Sequence, residues 1–368
     1  MKQHTIVFTG GGTGGHVFPG IAVVEKLLSG KEGSYFKIVW IGSNSGMEKD
    51  ILRRYRIPFI SIPAGKLRRY FSILNFIDIF KIFGGIVASF FILRKLKADL
   101  LFSKGGFVSV PPVLAAKILG IPVISHESDL DSGLATRING RFSGKMLFAY
   151  KETLDNWEKR FSKQISIVTG NPVRKEIFEG SKINGRVLFN IPEDKKVILV
   201  LGGSQGASEV NNLIASILEL LTESFFVIHQ MGELLYKKSD KKNYITASLF
   251  KEDFPDILAA SDLVISRAGA GTLWENGVTG KPSILIPLGS GSSRGDQIRN
   301  ADFFEKHGAA IVLKDERLNS ATLLVEINNL LSNKSVYNEI EKNVKLLCIT
   351  NSAESIVNII KQEIGYTK

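Results

Sequence analysis

The sequence predicts an α/β fold made of two Rossmann-like domains, each a doubly wound parallel sheet covered by helices. Short β-branched runs alternate with helix-length amphipathic stretches, the usual pattern of a parallel sheet with helices on both faces. Each half of the chain opens with a strand that leads directly into a glycine-rich turn and then a helix. A length of 368 residues also exceeds what one hydrophobic core usually serves.

The hydrophobic pattern predicts strands in both halves. In the first half we expect strands at residues 5–9, 37–41, 99–102, 122–125 and 145–148. In the second half we expect them at residues 196–201, 225–230, 243–246, 262–266, 283–287 and 310–313.

The domain boundary is expected at residues 169–172, where Thr-Gly-Asn-Pro ends regular structure. The first domain would then span 1–171 and the second 172–345. A last helix follows the final strand of the second half, and its own sequence allows it to pack on either domain.

Composition limits the cell compartment and the partners. Cys348 is the single cysteine and the five histidines are scattered, so neither an internal disulfide nor a zinc cluster is expected. The N-terminus lacks the apolar core of a signal peptide, which predicts a cytoplasmic protein. The net charge of +11 indicates an acidic partner, which could be nucleic acid, anionic lipid or a phosphorylated substrate.

One segment, residues 66–97, departs from the soluble pattern because basic clusters flank a long apolar stretch. Asp78 and Lys81 interrupt the stretch and two glycines weaken its helix, so an interfacial helix is favoured over a membrane-spanning one. The basic ends would suit anionic headgroups. One or two buried helices with solvated ends are the equally open alternative.

The first glycine-rich turn runs from Gly10 to Gly15 and is followed by His16. Glycines let the backbone approach a phosphate closely, and the first amides of the next helix supply donors. A dinucleotide site would also need an acidic residue at the end of the second strand, but residues 40–43 read Trp-Ile-Gly-Ser. A P-loop is excluded because no lysine followed by serine or threonine closes the run.

Two further glycine clusters lie in the second half. Residues 201–207 again join a strand to a helix, although a tight connection without a ligand is the alternative interpretation. Residues 266–275 place small residues at a helix start and Glu275 one turn later. A carboxylate there can accept hydrogen bonds from both hydroxyls of a ribose, or it can simply stabilise the first helical turn.

Six motifs stand out in chain order: GGTGGHVFP at 11–19, HE at 126–127, GNPVR at 170–174, GGSQGA at 202–207, RAGAGTLWE at 267–275 and DQIRNA at 296–301. Together they resemble the MurG family, the N-acetylglucosaminyltransferases that convert lipid I to lipid II in peptidoglycan synthesis. The resemblance covers nearly the whole chain. It implies a GT-B fold with two domains facing a central cleft, UDP-sugar in the C-terminal domain and the lipid acceptor toward the N-terminal one. It also implies that a last helix, about 346–368, packs back on the first domain.

The resemblance also assigns residues to the donor site. By motif position, Ser204 and Arg174 would contact UDP, Glu275 the ribose, Gln297 the sugar hydroxyls, and the backbone of Phe250 the uracil. The other donor-site residues expected are Thr13, Gly14, Gly15, Asp129, Ala270, Gly271, Thr272, Leu273 and Trp274. The chain departs from the commonest family pattern at Ser128 and Asp129, where glutamine and asparagine are usual. A carboxylate at 129 accepts hydrogen bonds but does not donate them.

The implied reaction is inverting transfer of N-acetylglucosamine from UDP-N-acetylglucosamine to the 4-hydroxyl of the N-acetylmuramyl unit of lipid I, undecaprenyl-pyrophosphoryl-MurNAc-peptide. A base must remove the hydroxyl proton, with His16 the first candidate and Glu127 the second. His16 could instead cap its helix or bind an acceptor phosphate. Asp129 and Asp131 spell a D-x-D, but the family holds the diphosphate with amides, so no essential metal or other cofactor is expected.

Two other functions compete with this one. A diacylglycerol glycosyltransferase would share the glycine turns and the basic, apolar segment. A nucleic-acid-binding protein would explain the charge, but it is disfavoured because the basic clusters flank an apolar segment rather than line one face with aromatics. We therefore expect a peripheral enzyme at the cytoplasmic face of the plasma membrane, bound to anionic lipid through residues 66–97, with no nucleic-acid partner.

Overall fold

The chain divides into two compact units. The computed structural model describes residues 3–44, 46–65, 73–161, 164–203, 206–289 and 295–366. The N-terminal unit comprises Met1–Arg174 and Thr350–Lys368, and the C-terminal unit comprises Lys175–Ile349. Both junctions lie a few residues after the expected boundaries, so residues 172–174 and 346–349 change sides relative to the sequence-based division.

The N-terminal unit contains a seven-stranded sheet. Its strands are β1 His4–Thr9, β2 Phe36–Ser43, β3 Phe59–Ile62, β4 Leu100–Ser103, β5 Val123–Glu127, β6 Lys145–Phe148 and β7 Ile165–Val168. All neighbours are parallel, in the order β3-β2-β1-β4-β5-β6-β7. The order reverses between β1 and β4, and the crevice at such a switch point is where open α/β sheets bind ligands.

Helices cover both faces of this sheet. They are α1 Gly14–Leu28, α2 Glu48–Arg54, α3 Ile73–Leu96, α4 Val110–Ile118, α5 Leu134–Gly140 and α6 Lys151–Glu158, with short 3₁₀ turns at Lys31–Tyr35 and Phe107–Ser109. One core centres on the fully buried Phe8, Trp40 and Phe102, with ring centroids 5.2 to 5.8 Å from Phe8. The Trp40 Nε1 donates to the Gly10 carbonyl at 3.0 Å, so the core also fixes the start of the first glycine turn.

The C-terminal unit repeats the plan with a six-stranded parallel sheet. Its strands are β8 Lys196–Leu201, β9 Phe225–Gln230, β10 Tyr244–Ala247, β11 Leu263–Ser266, β12 Ser283–Leu285 and β13 Ile311–Val312. Its helices are α7 Lys175–Phe178, α8 Lys182–Leu188, α9 Ser208–Ser224, α10 Phe254–Ala260, α11 Ala270–Val278, α12 Asp296–Lys306, α13 Ser320–Ser332 and α14 Lys334–Leu347, with a 3₁₀ turn at Asp315–Arg317. The order β10-β9-β8-β11-β12-β13 reverses between β8 and β11.

The last helix, α15 (Ser352–Glu363), belongs to the N-terminal unit. Its buried residues Ile356, Val357 and Ile360 join the core beside α1. Two ion pairs reinforce the packing, Lys361 with Glu32 at 2.6 Å and Lys145 with Glu363 at 2.5 Å. The helix is shorter than the expected segment because α14 already occupies residues up to Leu347.

The predicted two-sheet fold is confirmed, and each of the predicted strands overlaps an observed one. The hydrophobic pattern did not predict β3 and β7, which are the two edge strands of the first sheet. Both are four residues long and mostly half-exposed, so neither shows the buried apolar run that identifies a central strand. Short edge strands are a common way to limit unwanted pairing.

The segment singled out as membrane-associating forms α3, although residues 66–72 lie outside the described part. One face of α3 packs in a core with Leu93 and against α4. The backbone at Gly85 is so close to its neighbours that a Cβ there would lie 2.3 Å from the Pro63 carbonyl oxygen. The other face exposes Ile79, Phe80, Phe83, Val87 and Phe91. No helix in the described residues is long and apolar enough to cross a membrane.

Candidate active site

The first glycine turn lies at the switch point of the N-terminal sheet, between β1 and α1. Gly12 has a φ of 88°, a left-handed conformation that favours glycine. Thr13 and Gly15 are exposed and Gly14 is half-buried, so the first amides of α1 lie at the surface of the unit. A helix start of this kind binds anions because its N–H groups lack partners within the helix.

A buried carboxylate that sequence reasoning missed lies directly beneath this turn. Glu48 is fully buried, and its Oε1 accepts hydrogen bonds from the Ser43 backbone N–H and hydroxyl, both at 2.8 Å. Its Oε2 accepts from the Gly12 N–H at 3.4 Å. A dinucleotide-binding acid would stand at the end of β2. Glu48 comes five residues after that end, and its side chain turns back to Ser43. It ties the end of β2 to the glycine turn.

His16 lies in the first turn of α1 and is half-buried. Its ring runs beside the turn after β4, because a Cβ placed on Gly106 would lie 3.2 Å from His16 Cδ2. Gly105 and Gly106 both have positive φ, 84° and 78°, which lets the chain pass the imidazole closely. The imidazole therefore lies at the carboxyl edge of the sheet, between the turns that follow β1 and β4.

Glu127 ends β5, and its carboxylate holds the following loop. Oε1 accepts from the backbone N–H groups of Ser128 and Asp129 at 2.9 and 3.1 Å, and Oε2 accepts from Gly133 at 3.2 Å. The side chain is buried. These bonds favour a loop-holding role for Glu127, and which of Glu127 and His16 is the general base stays a prediction. Asp129, also expected at the donor sugar, is half-buried in the same loop.

A second group missed from the sequence is Lys104, which directly follows β4 and is only 1% exposed. Its Nζ donates to His126 Nδ1 and to Ser128 Oγ, both at 2.6 Å. Burial lowers the pKa of Lys104 to about 7, against the opposing effect of the Glu127 and Asp129 carboxylates. Burial, and then the Lys104 charge, also lower the pKa of His126 well below its usual value. The imidazole is therefore neutral.

Arg174, expected at the UDP moiety, lies in the N-terminal unit. Its guanidinium carbon is 4.3 Å from the centre of the Phe18 ring, and Nη1 donates to the Tyr55 hydroxyl at 3.0 Å. The side chain is buried. In this structure Arg174 binds groups of its own unit, and its contact with UDP stays a prediction.

The second glycine turn follows β8 at the switch point of the C-terminal sheet. Ser204, expected at the UDP moiety, lies outside the described residues. Gly203 has a φ of 77°, and a Cβ placed there would meet nothing within 4 Å. Gly206 has a φ of 93° and approaches so closely that a Cβ would lie 2.6 Å from the Met231 carbonyl oxygen. Gly203 therefore has open space beside it, whereas Gly206 lets the turn pack closely against the Met231 backbone.

A buried histidine network supports this turn. Asn211 Nδ2 donates to the Met231 carbonyl at 3.1 Å, so its Oδ1 is left to accept from His229 Nε2 at 3.0 Å. His229 Nδ1 then accepts from the Tyr244 hydroxyl at 2.8 Å. Burial lowers the pKa of His229 to about 4 and raises that of Tyr244 to about 12. Both groups are neutral at pH 7 and serve structure rather than proton transfer.

The third glycine cluster begins α11, with Gly269 as its N-cap. Cβ atoms placed on Gly269 or Gly271 would meet nothing within 4 Å, so this helix start has open space beside it. Leu273 and Trp274 are buried in the unit, and the Leu273 N–H already donates to the Gly269 carbonyl at 3.0 Å. Glu275 is half-buried one turn into the helix. The other residues expected here, Ala270 and Thr272, lie in the first turn.

Gln297 and Phe250 are both held by hydrogen bonds at the carboxyl edge of this sheet. The Gln297 Oε1 accepts from the Leu288 N–H at 3.0 Å, and its Nε2 carries the two amide hydrogens that can donate to a ligand. The Phe250 N–H donates to Gln230 Oε1 at 3.0 Å. The loop preceding α12, residues 290–294, lies outside the described part of the chain.

Within the described residues, no group of three or more His, Cys, Asp or Glu side chains is arranged to hold a metal ion. Asp129 and Asp131 therefore do not form part of such a cluster there. The expectation that the reaction needs no metal stays a prediction.

Comparison with known proteins matches residues 6–148 to the glycosyltransferase family 28 N-terminal domain and residues 197–360 to its C-terminal domain. The UDP-N-acetylglucosamine–N-acetylmuramyl-(pentapeptide) pyrophosphoryl-undecaprenol N-acetylglucosamine transferase of Treponema denticola is 49% identical over 84% of each chain. The protein of the same name from Clostridium perfringens is 43% identical over 98% of this chain and 99% of its own. The crystal structure of Acinetobacter baumannii MurG superimposes with a TM-score of 0.71 and 25% identity, covering 98% of this chain and 99% of that one.

Two parallel-sheet units, each with a glycine turn at its switch point, together with these matches define a glycosyltransferase of the GT-B fold. The family domains match most of the chain, and the relatives share nearly half of its residues over most of its length. The chain belongs to glycosyltransferase family 28 and, within it, to the MurG family.

Proposed function

We propose that this enzyme transfers N-acetylglucosamine from UDP-N-acetylglucosamine to the 4-hydroxyl of the N-acetylmuramyl unit of lipid I, forming lipid II with inversion at the anomeric carbon. The observation that carries the proposal is the match to the named relatives over 84 to 98% of the chain. His16, half-buried in the first turn of α1, would accept the proton of the attacking hydroxyl.

The donor would bind to the C-terminal unit. The open space beside Gly269 and Gly271 supports an approach of the diphosphate to the start of α11, where the helix amides favour negative charge. Glu275 would accept from the ribose hydroxyls, and the Nε2 of Gln297 would donate to a sugar oxygen. The amides at this helix start would stabilise the charge that develops on the leaving diphosphate, so the proposed mechanism needs no metal ion.

The test is turnover of the purified protein with labelled UDP-N-acetylglucosamine and a short-chain lipid I analogue, with and without EDTA. We expect transfer in both conditions. A parallel mixture of UDP-glucose and diacylglycerol should give none. Transfer only in that parallel mixture would move the enzyme to glycolipid synthesis, and loss of turnover with EDTA that magnesium restores would contradict the metal-free mechanism.

We also infer that the enzyme is a peripheral protein of the cytoplasmic face of the plasma membrane, where a lipid-linked acceptor resides. The exposed face of α3 supports this location. Phe80, Phe83 and Phe91 are 75%, 66% and 64% exposed, and they recur at helical spacing on one side. The exposed Arg94 and Lys95 follow them, and aromatic residues next to cations suit an interface with anionic lipid.

Replacing Phe80, Phe83 and Phe91 together by serine is expected to weaken binding to vesicles that contain anionic lipid by about 10- to 100-fold, because buried aromatic area is lost. Vesicle co-sedimentation measures the effect. A matched control replaces Ile183 and Val187, which are also exposed but lie on α8 of the C-terminal unit. Equal binding of the triple variant and the wild type would remove α3 as the membrane contact.

A further inference from the structure

Lys104 occupies an unusual position for a lysine, because lysines are almost never fully buried unless paired. Its backbone N–H donates to the Thr9 carbonyl at 2.8 Å, which joins the end of β4 to the end of β1. Its aliphatic part packs under the first glycine turn and α1. A Cβ on Gly10 would lie 3.0 Å from Lys104 Cβ, and one on Gly20 would lie 3.4 Å from Cγ. The Lys104 side chain therefore passes under the first glycine turn, on the predicted acceptor side, before it reaches its hydrogen-bond partners.

The Nζ of Lys104 starts a directional chain of hydrogen bonds. His126 Nε2 donates to the Gly170 carbonyl at 2.8 Å, so the neutral ring presents Nδ1 as an acceptor to Lys104. Ser128 accepts from Lys104 and donates to Asn171 Oδ1 at 2.7 Å. One amine thus connects β4, the end of β5 and the segment after β7.

Both protonation states of the amine can make this arrangement. A neutral amine carries two hydrogens, which is the number that His126 and Ser128 require, and the ammonium form carries a third. The groups charged or titratable around it are His126, Glu127 and Asp129. The contacts of Lys104 with His126 and Ser128 therefore depend on the hydrogen bonds of the amine and not on its charge.

Two side chains fix the loop after β5. Lys104 holds Ser128 through its hydroxyl, while Glu127 holds the backbone of residues 128, 129 and 133. The glycines that follow Lys104 lie beside the His16 ring, because Cβ atoms placed on Gly105 and Gly106 would be 3.9 and 3.2 Å from it. Lys104 therefore lies between the candidate base and the loop at the same edge of the sheet.

We propose that Lys104 is a positioning residue for the acceptor side of the reaction, holding the loop 126–133 in register with His16 through His126 and Ser128. The inference rests on the proposed function for its catalytic consequence only, because the effect on the loop is measurable without turnover. Misplacement of a positioning element by about 1 Å costs about 100-fold in rate.

The test compares the wild type with Lys104→Met, which keeps the length of the side chain and removes its donors. We expect kcat/KM for the lipid acceptor to fall about 10- to 100-fold. The melting temperature should fall by about 2 to 10 °C, because the buried His126 Nδ1 loses its hydrogen-bond donor. A merely structural role would lower the melting temperature but leave the kinetic constants of the folded enzyme unchanged.

Hydrogen–deuterium exchange supplies the second readout. In Lys104→Met the amides of residues 128, 129 and 133 should exchange at least about 10-fold faster, with no change in residues 196–201 of the C-terminal unit. Ser128→Ala should produce the same change, and the double variant should add little, because both remove the same link. Lys281→Met is the control, a half-buried lysine whose Nζ donates to the Ala259 and Ser261 carbonyls.

The outcomes separate the two proposals. Unchanged exchange of the loop in Lys104→Met, or unchanged acceptor kinetics in an active enzyme, would overturn the positioning role. Absence of transfer by the wild type would overturn the proposed function, and the exchange experiment would still decide whether Lys104 holds the loop.

Discussion

Replacement of His16 by alanine is expected to lower kcat by about 10²- to 10⁴-fold, the usual contribution of a positioned general base. The imidazole is half-buried at the carboxyl edge of the first sheet, beside the Gly105–Gly106 turn, and of the two candidates for the base its surroundings suit proton transfer better. Glu127 already accepts three backbone hydrogen bonds. The measurement is single-turnover transfer to a lipid I analogue at saturating donor.

Two further variants decide how His16 acts. Asparagine at position 16 keeps hydrogen-bonding capacity but has no basic nitrogen, so His16→Asn should be as slow as His16→Ala if the imidazole removes the proton. Recovery of turnover by His16→Asn would indicate that the residue binds an acceptor phosphate. His307→Ala, an exposed histidine in the C-terminal unit, is the control and should retain normal turnover. Near-normal turnover of His16→Ala would end its candidacy.

The second large effect is expected on stability. Glu48→Ala should destabilise the N-terminal unit by about 2 to 4 kcal/mol, because it leaves the buried Ser43 N–H and hydroxyl, and the Gly12 N–H, without their acceptor. Urea unfolding followed by the fluorescence of Trp40 and Trp157 measures it, in a Trp274→Phe background that removes the signal of the C-terminal unit. A two-domain chain has to be followed unit by unit, since its unfolding need not be two-state.

Glutamine at position 48 is the isosteric comparison. Its carbonyl oxygen can still accept from Ser43 but its amide cannot accept from Gly12, so Glu48→Gln should lose less stability than Glu48→Ala. Glu354→Ala removes an exposed carboxylate paired with Lys26 at 3.2 Å and should cost less than about 1 kcal/mol. A loss for Glu48→Ala no larger than that of Glu354→Ala would show that Glu48 does not hold the turn.

The sequence alone was sufficient to predict the fold class, every described strand except β3 and β7, and the positions of the three glycine-rich turns. These signals are local: a buried strand shows as an apolar run, and a turn that needs φ > 0 shows as glycine. Two repeats of the same strand and turn pattern then predict two switch points. The motif resemblance added the family, which the comparisons confirmed.

Only the tertiary structure decided the partners of the buried charges. Glu48 reaches Gly12 across 36 residues, and Lys104 reaches Ser128 across 24. No local pattern predicts such pairs, because they depend on which strands become neighbours and how far each turn extends. The edge strands β3 and β7 were not predicted for a related reason. Their residues are mostly half-exposed, and each strand forms by pairing with its single neighbour in the sheet. A buried charge is stable only where folding brings its hydrogen-bond partners to it, and that is a property of the assembled sheet.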